Sequence, residues 1–175
     1  ILAEGQNLMV QVLKDPIGTK GARLSTQISI AGRMLVYLPQ DKHIGISQRI
    51  GDEAGREALR ERVSRLLPPD EKGGYIVRTM AEYATDEELA ADIAYLRKLW
   101  AEIRNRTVGA FPPTVLYQDL NLAQRVMRDF VTDATSRIVA DSRENFQKLM
   151  AFASEYMPQV APLLDHYTGE DRKSV

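Results

Sequence analysis

Residues 73–80 read GGYIVRTM. Tyr75, Ile76 and Val77 have the character of a buried strand, yet Arg78 and Thr79 follow at once. A guanidinium entering an apolar strand must be paired or solvated. Its planar fork of donors suits phosphate oxygens, and Thr79 adds a hydroxyl and a backbone N–H. Neighbouring strand residues point to opposite faces, so both reach one ligand only where the strand ends or twists. The competing reading is a strand-end arginine in a salt bridge. Local sequence does not separate the two.

Other residues carry weaker signals. Lys20 lies in GTKG, residues 18–21, a glycine-flanked turn where it either meets a phosphate or merely completes a hairpin. The same four residues match the bare G-x-x-G of KH modules, but that loop joins two helices and the flanks here read as strands. The Walker A spacing is not met. Asp86, Glu87, Glu88 and Asp92 form an acidic group. Acids are expected in the first turns of a capped helix for electrostatic reasons, and that reading outweighs a metal or acid–base site. His43 and His166, the only two histidines, are far apart and have no metal-ligand spacing around them. No G-x-S-x-G elbow occurs. No self-contained catalytic constellation emerges.

The elements that must position these residues follow from periodicity. Residues 7–13, 22–30 and 33–39 read as strands separated by Pro16, Gly18, Gly21 and Gly32 and closed by Pro39. Residues 52–67 read as a helix with an apolar face of Ala54, Ala58, Leu59, Val63, Leu66 and Leu67. GGYIVRTM returns to strand. Over 85–106, Thr85 and Glu88 predict a capping box, and Leu89, Ile93, Leu96, Trp100 and Ile103 a single buried stripe. GAFPP, 109–113, reads as a subdomain break. Beyond it come a short strand at TVLY (114–117) and a helix at 120–131 with Leu122, Val126 and Phe130 inward. A short strand at SRIVAD follows, then a helix capped by Asp141 and Glu144, carrying Phe146, Leu149, Met150 and Ala153 and stopped by Pro158.

The totals set bounds. The chain has 175 residues, 44% of them hydrophobic, enough for one large domain or two small ones with a real core. It has no cysteine, which excludes disulfides and thiolate metal sites and fits a reducing compartment. No apolar run approaches the length of a membrane span. The chain begins at Ile1 without an initiator Met or a signal-like segment, and so reads as a piece of a longer protein. Net charge is −1 and the pI about 6.2, against a generic nucleic-acid binder. Residues 1–50 hold a net +3, a modest positive field that an ordinary fluctuation also explains.

The segment EGQNLMVQVLKDPIGTKGARLSTQISIAGRMLVYLP, followed in order by GISQRI, GGYIVRT, AYLRKLW and HYTG, resembles the middle of ribonuclease E/G endoribonucleases, nearer the ribonuclease G branch. The resemblance is collinear and covers nearly the whole chain. It implies an α+β fold in three parts. Residues 1–25 would be closing strands of an S1 (OB-fold) RNA-binding domain. Residues 26–118 would be a 5′-sensor subdomain of antiparallel sheet with two helices. Residues 119–175 would be part of a mainly helical ribonuclease H-like subdomain. The catalytic domain, with its Mg2+-binding aspartates and zinc-binding cysteines, would follow HYTG and lie outside this chain. The closing EDRKSV departs from the family pattern.

The resemblance also assigns roles. Arg78 and Thr79 would contact the 5′-monophosphate of single-stranded RNA, with Gly32 and Val36 lining the pocket around the terminal nucleotide. Lys20 matches an RNA-holding lysine at the edge of the S1 surface. Gln48 stands where some members carry the first arginine of a pair, and Arg49 keeps the second. The expected function is RNA binding and 5′-end sensing within a cytoplasmic enzyme of RNA processing and decay, including rRNA maturation. That enzyme would be homo-oligomeric at full length, with no membrane partner. The fragment itself would be inactive, bind no cofactor, and pack against the parent's other domains. A small pocket of this kind needs no basic surface, and it would discriminate against 5′-hydroxyl and 5′-triphosphate ends. The rival readings are a structural or protein-interaction module with no ligand, and a free-standing hydrolase using the helix acids.

Overall fold

A computed structural model describes residues 2–169, so EDRKSV at 170–175 lies outside the described residues. The fold is α+β, and the chain divides into two units, one through Leu116 and one from Tyr117 onward.

In the first unit, β1 (Gln11–Lys14) and β2 (Arg23–Ser25) form an antiparallel ribbon, with a register shift between Val12 and Lys14. The strand expected over 22–30 is broken. Ser25 Oγ accepts from Gln27 N at 3.1 Å, a local turn that interrupts the ladder. The chain resumes as β3 (Ile30–Ala31), and Gln11 bridges the two parts through Ser29 N and O at 2.9 and 3.0 Å.

A four-stranded sheet follows in the order β3-β4-β6-β5, where β4 is Leu35–Leu38, β5 is Ile44–Ile46 and β6 is Gly74–Val77. β4 runs antiparallel to β3 and β6, and β5 runs parallel to β6. The parallel pair needs a crossover, which α1 (Glu53–Leu66) supplies. β5 was not expected from the sequence, because a three-residue strand carrying a glycine has no readable alternation. Asp52 caps α1 by accepting from Gly55 N at 2.8 Å. α2 (Asp86–Thr107) starts at the predicted capping box, with Thr85 Oγ1 accepting from Glu88 N at 3.2 Å.

The core lies on one face of the sheet. Leu35, Tyr37, Tyr75 and Val77 meet Leu59 and Val63 of α1 and Leu89, Ile93, Leu96, Leu99 and Ile103 of α2. Ala54 and Ala58 stay exposed at the start of α1. The other face carries Ala31, Val36, Ile76 and Gly45, which lie in one cross-strand row because Ala31 pairs with Val36, Val36 with Ile76, and Ile76 with Gly45. A period of two puts the core and this row on opposite sides.

A buried carboxylate closes the core side. Glu71, just before β6, accepts from Tyr37 Oη and Tyr75 Oη at 2.9 Å each and from Gly73 N at 2.8 Å. Arg97 Nε of α2 lies 3.5 Å from it. Burial, followed by the Glu71 hydrogen bond and charge, raises the Tyr37 phenol above its ordinary value; for Tyr75 the order is burial, the Glu71 charge, then the hydrogen bond.

The second unit contains α3 (Leu122–Phe130), β7 (Ile138–Ala140), α4 (Arg143–Tyr156) and β8 (Leu164–His166), the two strands pairing in parallel. Three expectations fail at the start of this unit and within it. TVLY forms no ladder. Leu122, Val126 and Phe130 are exposed (78%, 47% and 74%), and Met127 is the buried residue of α3. An i, i+4, i+8 spacing finds a stripe but not the side on which a partner sits. The cap of α4 is Ser142, accepting from Asn145 N at 3.3 Å, one residue later than Asp141.

Candidate phosphate-binding site

β6 ends where its charge arrives. Ser47 N donates to Val77 O at 3.0 Å and Arg78 N donates to Met34 O at 2.8 Å, the last rungs toward β5 and β4. Arg78 is still extended, and Thr79–Ala81 then turn into a short 3-10 segment. The reversal lets adjacent residues share one cavity, as required for Arg78 and Thr79 to act together. Both line an open depression with Ser47, Arg49, Ile76, Val77 and Met80.

Arg78 is half-buried and forms no salt bridge among the described residues. Its Nη1 instead donates to Gly32 O at 2.9 Å and, more weakly, reaches Arg33 O at 3.5 Å. A guanidinium offers five N–H donors in a fixed fork. Held through one nitrogen by neutral carbonyls, Arg78 keeps its positive charge and its Nε and Nη2 donors for an anion. Thr79 is exposed. The leading N–H groups of a helical turn lack partners within it, so the backbone beside Thr79 offers further donors.

The remaining predicted residues divide. Arg49 lines the same depression, which joins it to Arg78 and Thr79. Val36 is half-buried beside Ile76 on the outward row. Gly32 is buried and contributes its carbonyl to Arg78. A Cβ there would stand 2.6 Å from a carboxylate oxygen of Asp92, so packing alone demands glycine. Lys20 is exposed on a tight turn closed by Ile17 and Lys20 through bonds of 3.0 and 3.1 Å, and it does not line the depression. Gln48 is exposed.

Sequence reasoning missed Ser47 and Met80 as lining residues. It also misplaced Asp92. Asp86, Glu87 and Glu88 occupy the first turn of α2 as expected, with Asp86 bound by Arg62 at 2.8 Å. Asp92 is instead buried and accepts from the backbone N–H groups of Arg33, Met34 and Leu35. Among the described residues no group of three or more His, Asp or Glu side chains could hold a metal ion. No helix among them is long and apolar enough to cross a membrane. His43 lies in the first unit; His166, in the second, stacks on Phe146 at 5.7 Å.

The family model described as ribonuclease E/G family matches residues 29–174. The chain is 47% identical to Ribonuclease G of Escherichia coli strain K12 over 97% of its own length. This chain belongs to the ribonuclease E/G family. Ribonuclease G of Haemophilus influenzae is 39% identical over the same share, and Ribonuclease E of Nostoc sp. is 33% identical over 95% of the chain. The chain spans 34% of the length of the two Ribonuclease G relatives and 24% of the Nostoc Ribonuclease E. The depression at the end of β6 is thus a feature of a ribonuclease E/G family chain.

Proposed function

We propose that this chain is the RNA-recognition part of an endoribonuclease acting in RNA processing and decay, and that the depression at the end of β6 reads a 5′-monophosphate. The observation that carries this reading is Arg78, a half-buried guanidinium that lines an open depression and is held by backbone carbonyls, with no salt bridge among the described residues. A terminal monophosphate carries about 1.5 to 2 negative charges at neutral pH, more than an internal phosphodiester. Arg78 and Arg49 supply positive charge and Thr79 a hydroxyl. Charge-assisted hydrogen bonds contribute about 1.5–3 kcal/mol each. Val36 and Ile76, adjacent on the outward face, give the terminal nucleotide an apolar seat.

In this reading the ribbon of β1 and β2 belongs to an S1 domain spanning residues 1–25, and Lys20 holds RNA at its edge. Residues 26–118 form the sensor, and 119–175 belong to a ribonuclease H-like scaffold. Cleavage of single-stranded RNA takes place in other parts of a cytoplasmic, homo-oligomeric enzyme. Mg2+ there would activate water and zinc would have a structural role, with ligands supplied by those parts.

The reading is tested by the affinity of the 175-residue chain for one short RNA carrying either a 5′-monophosphate or a 5′-hydroxyl. The expected preference for the monophosphate is about tenfold or more, the equivalent of one charge-assisted hydrogen bond. Equal affinities overturn it. The depression is open rather than enclosed, so a triphosphate is discriminated less sharply than a hydroxyl.

A further inference from the structure

We propose that Asp92, on α2, is a positioning residue for Arg78, acting through the turn at Gly32–Leu35. The inference rests on the phosphate-reading role proposed above. Asp92 is only 7% exposed. One carboxylate oxygen accepts from Arg33 N at 3.0 Å, and the other from Met34 N and Leu35 N at 2.9 Å each. Three successive N–H groups converging on one point make an anion-holding concavity, and here the anion is the protein's own side chain.

The other side of the turn faces Arg78. Gly32 O accepts from Arg78 Nη1 at 2.9 Å, and Met34 O accepts from Arg78 N at 2.8 Å. Gly32 N in turn donates to Leu35 O at 2.8 Å, which closes the loop. The carboxylate therefore orients the peptide units whose carbonyls aim the guanidinium. Bonds to N–H groups on one edge of a peptide polarise and fix the C=O on the other. Gly32 is part of the same device, since a methyl there would press on Asp92 Oδ1 at 2.6 Å. Asp92 touches no ligand in this scheme. Its contribution is to hold the arginine ready in the orientation that the phosphate needs, which lowers the ordering cost on binding.

The test is a double-mutant cycle on the ratio of affinities for 5′-monophosphate and 5′-hydroxyl RNA, read at a temperature where circular dichroism shows each variant folded. Asp92→Asn keeps the shape but turns an acceptor into a donor facing N–H groups. It is expected to lower the ratio about tenfold, the factor that one lost charge-assisted bond is worth. In an Arg78→Ala background it should change the ratio no further, because its effect passes through that arginine. Gly32→Ala, which pushes on the same carboxylate from the opposite side, should act likewise.

A merely structural Asp92 would lower the melting temperature and leave the ratio alone. A wild-type preference kept at full strength by the folded Asp92→Asn or Gly32→Ala chain overturns the inference and spares the phosphate reading. A wild-type chain with no preference overturns both. Failure of both variants to fold at any temperature would reduce Asp92 to a residue of stability alone and also overturn the inference.

Discussion

Arg78→Ala is expected to weaken binding of 5′-monophosphorylated RNA by about 10- to 100-fold, corresponding to the loss of one charge-assisted hydrogen bond. The same change should bring the affinity for that RNA down to that for its 5′-hydroxyl counterpart. The chain's fold should survive, because Arg78 is half-buried and gives up bonds to Gly32 O and Arg33 O but no ion pair. Fluorescence anisotropy with the two RNAs and a thermal melt of each protein measure both halves. A module that used Arg78 only to hold its strands together would respond in the opposite way: lower stability, unchanged RNA binding. Cleavage of RNA by this chain in magnesium, abolished by Asp86→Asn, would favour the hydrolase reading instead. The Arg62 bond to Asp86 and the capped helix start already give that carboxylate a structural role.

Glu71→Ala is expected to be the most damaging single change to the fold. It removes the acceptor for two tyrosine hydroxyls and one backbone N–H, and the carboxylate beside Arg97. Breaking a buried, hydrogen-bonded charge by removing one partner costs about 3–5 kcal/mol. Tyr37 and Tyr75 are register partners on β4 and β6, so the loss falls on the two strands that carry Val36 and lead into Arg78. A urea titration followed by the tyrosine signal reads the change in midpoint.

The same cluster predicts an alkaline limit. The folded protein holds both phenols above the ordinary tyrosine value of 10, so the folded state binds their protons more tightly than the unfolded chain does. Their contribution is fully present below that value. As pH rises past it, stability is lost by about 1.4 kcal/mol per pH unit for each tyrosine. Tyr75→Phe should roughly halve that slope in melts above pH 10, the ordinary tyrosine value.

Legibility followed the strength of local signals. The 22-residue α2 announced itself through the Thr85–Glu88 box and a long apolar stripe; the structure forms the box and buries the stripe except Trp100, which is half-buried. β4 and β6 were visible as apolar runs opened by glycine; β4 ended before Pro39 and β6 where its first charged residue, Arg78, appeared. Short elements were not. β5 has three residues and depends on β6 for its pairing, so nothing in its own sequence declares it a strand. α3 showed its stripe but not the direction of its partner, and the buried side turned out to be that of Met127.

The site was legible in part. The charge at the end of an apolar strand marked Arg78 and Thr79 but left salt bridge and phosphate level. The side chain bonding Gly32 O, with no salt bridge among the described residues, removes the first alternative. Asp92 could have been found. It sits three residues after Leu89 and four before Leu96, on the buried stripe itself, where an acid is out of place unless it has donors to satisfy it. Its proximity in sequence to the acids of the first turn hid that position. Ser47 and Met80 enter the depression only through tertiary placement, which no local pattern encodes.

A 5′-monophosphate seated at the end of β6 is tested most directly by an amide chemical-shift titration of the isotope-labelled chain with a short RNA bearing a 5′-monophosphate, repeated with the 5′-hydroxyl form. Saturable shifts concentrated at Ser47, Arg49, Arg78, Thr79 and Met80 are expected for the first RNA, and their loss for the second. Shifts at those positions that are the same for both RNAs, or shifts confined to other parts of the chain, would contradict it.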